Sequence, residues 1–200
     1  MTGCALLIPP TGGTKVDLFR LSASDADEIA QQSPDPDARF GRKSKSKSFY
    51  GYKEHAAIDA DSELVTAVEV TPGNVADSEV FEPLVDPQAR DVTADKGYDT
   101  NANHQKLKVR GQRSSIIIKK NRTAPGIIGQ ANPQSQRERR NIERKFAEQK
   151  KYHGLATARY WGLAKVTIQV LLTCIVVNCK KMARLLQVRE YSWEMAAAGG

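Results

Sequence analysis

Fourteen residues, VTIQVLLTCIVVNC (166–179), run almost wholly apolar between Lys165 and Lys180. A chain carrying such a run must cover it with other protein or with lipid. Spanning a bilayer takes about twenty consecutive apolar residues, and this run includes Gln169 and Asn178. It therefore reads as the centre of a core helix over 163–186. Two hundred residues, 40% apolar and 26% charged, suit one sizeable core and leave little room for a second domain. The start, MTGCALLIPPTGG, has no basic leader or cleavage region and predicts no secretory signal. Three scattered cysteines, Cys4, Cys174 and Cys179, form neither a disulfide framework nor a zinc pattern. They fit a reducing cytoplasm.

The remaining segments predict an α/β chain. Residues 1–13 read as loose and TKVDLFRLS as a strand, while the polar stretch that follows, covering the basic residues of 34–50, reads as a loop or mobile arm. FYGYKEHAAID and ELVTAVEVT form a hairpin across ADS. TPGNVADS turns into a helix over EVFEPLVD, with Asp77 or Ser78 as its cap. RDVTAD is a short strand closed by Asp95, and NANHQKLKVRG a helix stopped by Gly111. SSIIIKK is a buried strand, 135–151 a charged helix with the apolar pair Ile142 and Phe146, and 188–200 a flexible tail. The helices should pack on one mixed sheet. No glycine-rich phosphate loop, HExxH or GxSxG is present.

Thirty Lys and Arg against twenty-three Asp and Glu give a formal charge of +7, which favours a polyanionic partner. Against that excess, Asp95 stands at the carboxyl end of a buried strand, where α/β sheets place their sites. On the charged helix, Arg139, Glu143 and Lys150 project within about 60° of one another. By itself that trio is an ordinary surface ion-pair ladder. Carboxylates gathered in one cleft are a different matter, because they repel unless a cation neutralises them. Hard oxygen ligands select magnesium or manganese, and a pair of such ions suits phosphodiester chemistry.

DPDARFGRKSKSKSFYGYKEHAAIDADSELVTAVEVTPGNVADS, VTADKGYDTNANHQKL and QRERRNIERKFAEQKKYHGLATARYWGLAKVTIQVLLTCIVVNCKK together resemble the DDE-type transposases of bacterial insertion sequences, over roughly 34–186. The resemblance implies a ribonuclease-H-like fold with flanking helices over 14–187. It also implies an Asp-Asp-Glu triad on Mg2+ or Mn2+, DNA strand cleavage and transfer, and an active complex of two or more copies. Asp95 of ADKGY corresponds to the second acid and Glu143 of NIERKF to the third. Arg139, Glu143 and Lys150 match the family's Arg-Glu-Lys spacing, while Gln136 stands where a tyrosine is common. The first acid belongs on the strand before FYGYK; Asp17 in KVDLFRL is the candidate, with Gly12 the other position considered. Asp59 reads as structural, and Tyr98 and Asp99 as fixing the turn and capping the next helix.

Arg42, Lys43, Lys45, Lys47 and Lys53 alternate through GRKSKSKSFYGYK and read as DNA-backbone contacts beside such a site, with Lys119 and Lys120 as further candidates. His55, His104 and His153 have no zinc spacing. Complete relatives carry a helical amino-terminal domain that binds transposon ends, and none is legible here. The chain is thus expected to be a carboxy-terminal part of such a protein. Two alternatives to a transposase stay open: a DNA-binding remnant without catalysis, and a nuclease of the same fold that cuts without joining.

Overall fold

The computed structural model describes residues 2–7, 28, 31–44, 47–119 and 133–198. Its architecture is mixed α/β, organised around one long strand. Strand β1 is Thr2–Leu7, β2 Arg39–Ser44, β3 Lys47–Ile58 and β4 Val65–Pro72. All three of β1, β2 and β4 pair antiparallel with β3. Strands β5 (Asp91–Ala94) and β6 (Arg113–Ile116) pair parallel with each other, with α1 (Asn101–Val109) between them. Helices α2 (Pro133–Tyr152) and α3 (Leu163–Ala198) complete the order. The sequence predicts one mixed sheet; the described strands instead form a four-stranded antiparallel sheet and a separate two-stranded parallel one.

Alternation along β3 decides what packs where, since successive side chains point to opposite faces. Tyr52 and Val70 of β4 pack against Leu155, Val166, Val170 and Cys174, and Ala56 packs with Ile142 and Phe146 of α2. The odd-numbered Ala57 joins a different cluster, with Phe81, Leu84, Val92, Tyr98, Leu107 and Ile116. One face of β3 therefore holds the long helices and the other holds the β5–β6 unit. The predicted hairpin, the short strand before Asp95 and the charged helix with its buried Ile142–Phe146 pair are all present. Gly111, at φ +68°, follows α1 as its stop.

Several expectations are corrected. The segment read as a loop or arm over 34–50 is largely fixed. Residues 39–44 form β2, and the fully buried Asp35 accepts hydrogen bonds from the Tyr52 hydroxyl (2.6 Å) and the Gly162 amide (3.1 Å). Asp37 accepts from the Leu163 amide at 2.8 Å and so caps α3 from 126 residues away. No helix forms over EVFEPLVD; two single 3-10 turns, Asp77–Val80 and Glu82–Leu84, take its place. Pro83 lacks the amide needed to continue a helix, and Asp77 turns to Lys53 instead of capping. Strand β6 ends at Ile116 because the Asp99 carboxylate, not a neighbouring strand, accepts the Lys119 amide at 2.7 Å.

The largest correction concerns α3, which runs to Ala198 and, over its described side chains up to residue 187, is buried along one face only. Val166, Val170, Thr173, Cys174 and Val177 face the core, while Ile168, Leu172 and Ile175 are more than half exposed. The stretch Leu163–Gln187 is long and apolar enough to cross a membrane by length and composition. It is nevertheless tied to the sheet, where Asn178 donates to the Val65 carbonyl and accepts from its amide, both at 2.8 Å. The predicted strand around Asp17 lies outside the described residues.

Glu54, 1% exposed, sits between the sheet and these helices, accepting a hydrogen bond from Gln149 at 3.0 Å. Burial pushes its carboxyl up to about 7 from 4.5. The folded chain therefore holds this proton more tightly than the unfolded chain does. That contribution to stability is complete below pH 4.5 and fades as pH rises through 7. Glu54→Gln should remove the dependence, so that its stability relative to the parent rises by about 2–3 kcal/mol between pH 4 and 8. Urea unfolding across that range measures it, and parallel profiles would rule the buried proton out.

Candidate active site

Asp95 follows β5 directly, with extended backbone angles (φ −71°, ψ 162°), and its Oδ1 accepts the Lys96 amide at 2.8 Å. The turn behind it is locked from below. Tyr98 is fully buried, its amide donates to the Asp95 carbonyl (3.0 Å), and its hydroxyl meets His55 Nδ1 at 3.0 Å. His55 Nε2 in turn lies 3.0 Å from Thr71 Oγ1, and burial lowers the imidazole to about 4, keeping it neutral. Gly97 lets the Asp77 carboxylate lie close against the turn, 2.7 Å from where a Cβ would stand. On the far side, Asp99 bridges His104 (2.9 Å) and the Lys119 amide, while Thr100 caps α1 by accepting from Asn103. Asp99 thus fixes the turn as expected, but the cap belongs to Thr100.

Asp95 lines a cleft of about 580 Å³ between β5, the 59–64 turn and the start of α2. Asp59, Asp61, Asp86, Asp91 and Glu138 also line it. Several of these acids are already engaged. Asp59 accepts from the amide and hydroxyl of Ser62, which lowers its carboxyl below the usual range. Asp91 is paired with Arg113. Glu138 accepts from the Thr93 hydroxyl at 2.5 Å, joining α2 to β5.

Of the acids predicted from sequence, Asp95 is at the cleft. Glu143 is exposed on α2 and does not line it, although Asn141 and Ile142 beside it do. Successive helical residues are 100° apart, so Glu143 lies on the flank of the face that Ile142 buries. Glu138, four residues before Ile142, lies on that face. Its phase with Ile142 and Phe146 was the available signal for it. Asp17 lies outside the described residues, and neither TGCALL of β1 nor RFGRKS of β2 contains an acid. Among the described residues, no three His, Cys, Asp or Glu side chains gather closely enough to hold a metal ion.

The predicted cations are scattered. Arg42 is exposed on β2, and Lys150 is half-buried on α2. Lys53 is committed to Asp77 (3.0 Å) and the Val75 carbonyl (2.8 Å), and Lys119 Nζ to the Asp99 carbonyl. The side chains of Lys43, Lys47 and Arg139, and the whole of Lys45 and Lys120, lie outside the described residues. Sequence reading missed a groove of about 470 Å³ between α2 and α3, lined by Arg144, Lys151, Lys180, Arg184 and Tyr152, with Glu148 as its acid. Tyr152 is 65% exposed, with Lys151 Nζ 5.0 Å and Lys180 Nζ 5.9 Å from its ring centre. The four cations come from two helices and are legible only once those helices pair.

The Thr93–Glu138 bond carries a test of the cleft. Thr93→Val removes the donor and keeps the shape, and should cost about 1–2 kcal/mol in urea unfolding. An unchanged midpoint would mean that α2 is not held to β5 there.

The family model for the transposase DDE domain matches residues 19–179. Among curated proteins, the chain is 32% identical over 158 residues to the transposase for insertion sequence element IS1106 of Neisseria meningitidis serogroup B. That alignment covers 77% of this chain and 54% of the relative, so the chain spans about half the relative's length. No solved structure matches it. With most of its length matched by the family model and by a relative of this kind, the chain belongs to the DDE-domain transposases of insertion sequences.

Proposed function

We propose that this chain is the ribonuclease-H-like catalytic part of an insertion-sequence transposase, cleaving DNA at transposon ends and joining it to a target in the cytoplasm. One observation carries the reading: Asp95, at the carboxyl end of a short buried strand, opens onto an acid-lined cleft closed by α2. The donor set fits a hard divalent cation in kind, being carboxylate oxygen without cysteine or histidine at the cleft wall. Asp95 would hold magnesium or manganese at this wall, whose Lewis acidity serves phosphodiester cleavage and transfer, with Glu143, on α2 beside the cleft, and Asp17 as the other proposed ligands.

The protein's own contribution is placement and charge. The Tyr98–His55 link fixes the turn that presents Asp95, and Arg139, Lys150 and the basic strand pair are proposed to grip DNA phosphates. The groove of Arg144, Lys151, Lys180 and Arg184 supports a DNA partner independently, having four cations against one acid. A second reading, DNA binding without catalysis, has its own support. Neither β1 nor β2 contains an acid, and the described carboxylates do not form a group of three.

Labelled duplexes carrying candidate ends, incubated with magnesium, separate the readings. Joined products support a transposase, cut but unjoined DNA a nuclease, and salt-sensitive binding alone the second reading. Asp95→Asn and Glu143→Gln should each reduce joining on the order of 10²–10³-fold. If Glu138→Gln is the damaging change and Glu143→Gln is silent, the third acid is Glu138. Lys151→Glu with Arg184→Glu should weaken DNA binding and lower the salt slope by about one per cation removed. An unchanged slope would exclude the groove.

A further inference from the structure

The groove between α2 and α3 holds one side chain that phosphate binding alone does not use. Tyr152, the last residue of α2, lines it among Arg144, Lys151, Lys180 and Arg184. Its ring belongs to none of the three buried clusters and is 65% exposed. Lys151 Nζ and Lys180 Nζ lie 5.0 and 5.9 Å from the ring centre. Glu148, the acid of the groove, is taken by Lys180 at 2.7 Å, which leaves the charge of the other three cations in excess. A large flat ring kept in water among cations is a surface on which another flat ring can stack.

The groove also adjoins the cleft that Asp95 lines. Arg144 donates to Asn141 Oδ1 at 2.5 Å, and Asn141 is part of the cleft wall. From Asn141 to Tyr152 the helix rises about 16 Å. A DNA strand at duplex spacing covers that rise in about five nucleotides, and an unstacked strand in fewer.

We infer that this groove takes an unpaired stretch of DNA strand leading from the cleft. One base stacks on Tyr152, and the phosphates beside it lie on Arg144, Lys151 and Arg184. The inference rests on the groove being a DNA surface and adds which form of DNA it takes. In a duplex the bases stack on one another, and the backbone offers the cations phosphate but offers the phenol ring nothing flat. An unpaired base presents its π-face whatever the sequence. The groove volume of about 470 Å³ is that of a site for a nucleotide or two and is too small for a duplex.

Fluorescence anisotropy with a single-stranded and a duplex oligonucleotide of equal length, at fixed salt and without metal, tests this apart from catalysis. Tyr152→Ala should weaken single-strand binding about tenfold and change duplex binding by less than about twofold. Tyr152→Phe keeps the ring and should bind both DNAs like the parent. Tyr152→Trp supplies a second readout: its emission above that of the parent should be quenched by the single strand and not by the duplex. Equal losses for both DNAs in the Ala variant, no loss for either, or an indole that the single strand leaves unquenched would overturn the stacking site while leaving the groove a phosphate surface. If Lys151→Glu with Arg184→Glu leaves both affinities unchanged, the groove does not bind DNA, and the inference falls together with that reading.

Discussion

The hydrogen bond between the Tyr98 hydroxyl and the His55 ring joins the two halves of this fold. Among the described strands, β5 and β6 share no ladder with the antiparallel sheet. What holds the turn after β5 against that sheet is the Tyr98 side chain, fully buried against Phe81 and bonded to a neutral imidazole. A charged His55 in that position would need a carboxylate partner in an apolar setting. The neighbouring residue on β3, Glu54, points the other way and makes the corresponding tie to Gln149 of α2 and Cys174 of α3. Two adjacent residues on one strand thus fix both the cleft and the helices that border it.

This arrangement presents Asp95 at the cleft. Its backbone is set by Tyr98, and on its flank the Asp77 carboxylate lies close against Gly97. Asp77 can lie there because Lys53 neutralises it. The opposite wall is a helix face, and only residues in phase with Ile142 reach it. Glu138 is in phase and bonded to Thr93, whereas Glu143 stands one step round the helix.

Local patterns were legible in the sequence where the chemistry was local. Alternation gave the hairpin of β3 and β4, the strand-then-acid pattern gave β5 and Asp95, and Gly111 marked the end of α1. Features that depend on residues distant in the chain were not legible. Asp35 and Asp37 read as part of a polar loop, yet they anchor the start of α3 through Gly162 and Leu163. Pro83 and the pull of Lys53 on Asp77 prevented a helix whose cap residues looked suitable. The basic groove required α2 and α3 to pair before its cations met. In α3 the apolar run was evident, but a run of letters does not say which face is covered. Its core stripe through Val166, Val170 and Val177 and its exposed side alternate within the same fourteen residues.

The account rests on Asp95 being a working ligand and not merely a cap for the Lys96 amide. Manganese titration followed by electron paramagnetic resonance tests this without substrate. Saturable binding that Asp95→Asn weakens at least tenfold is the predicted result. Equal binding by both proteins, or none by either, would contradict it.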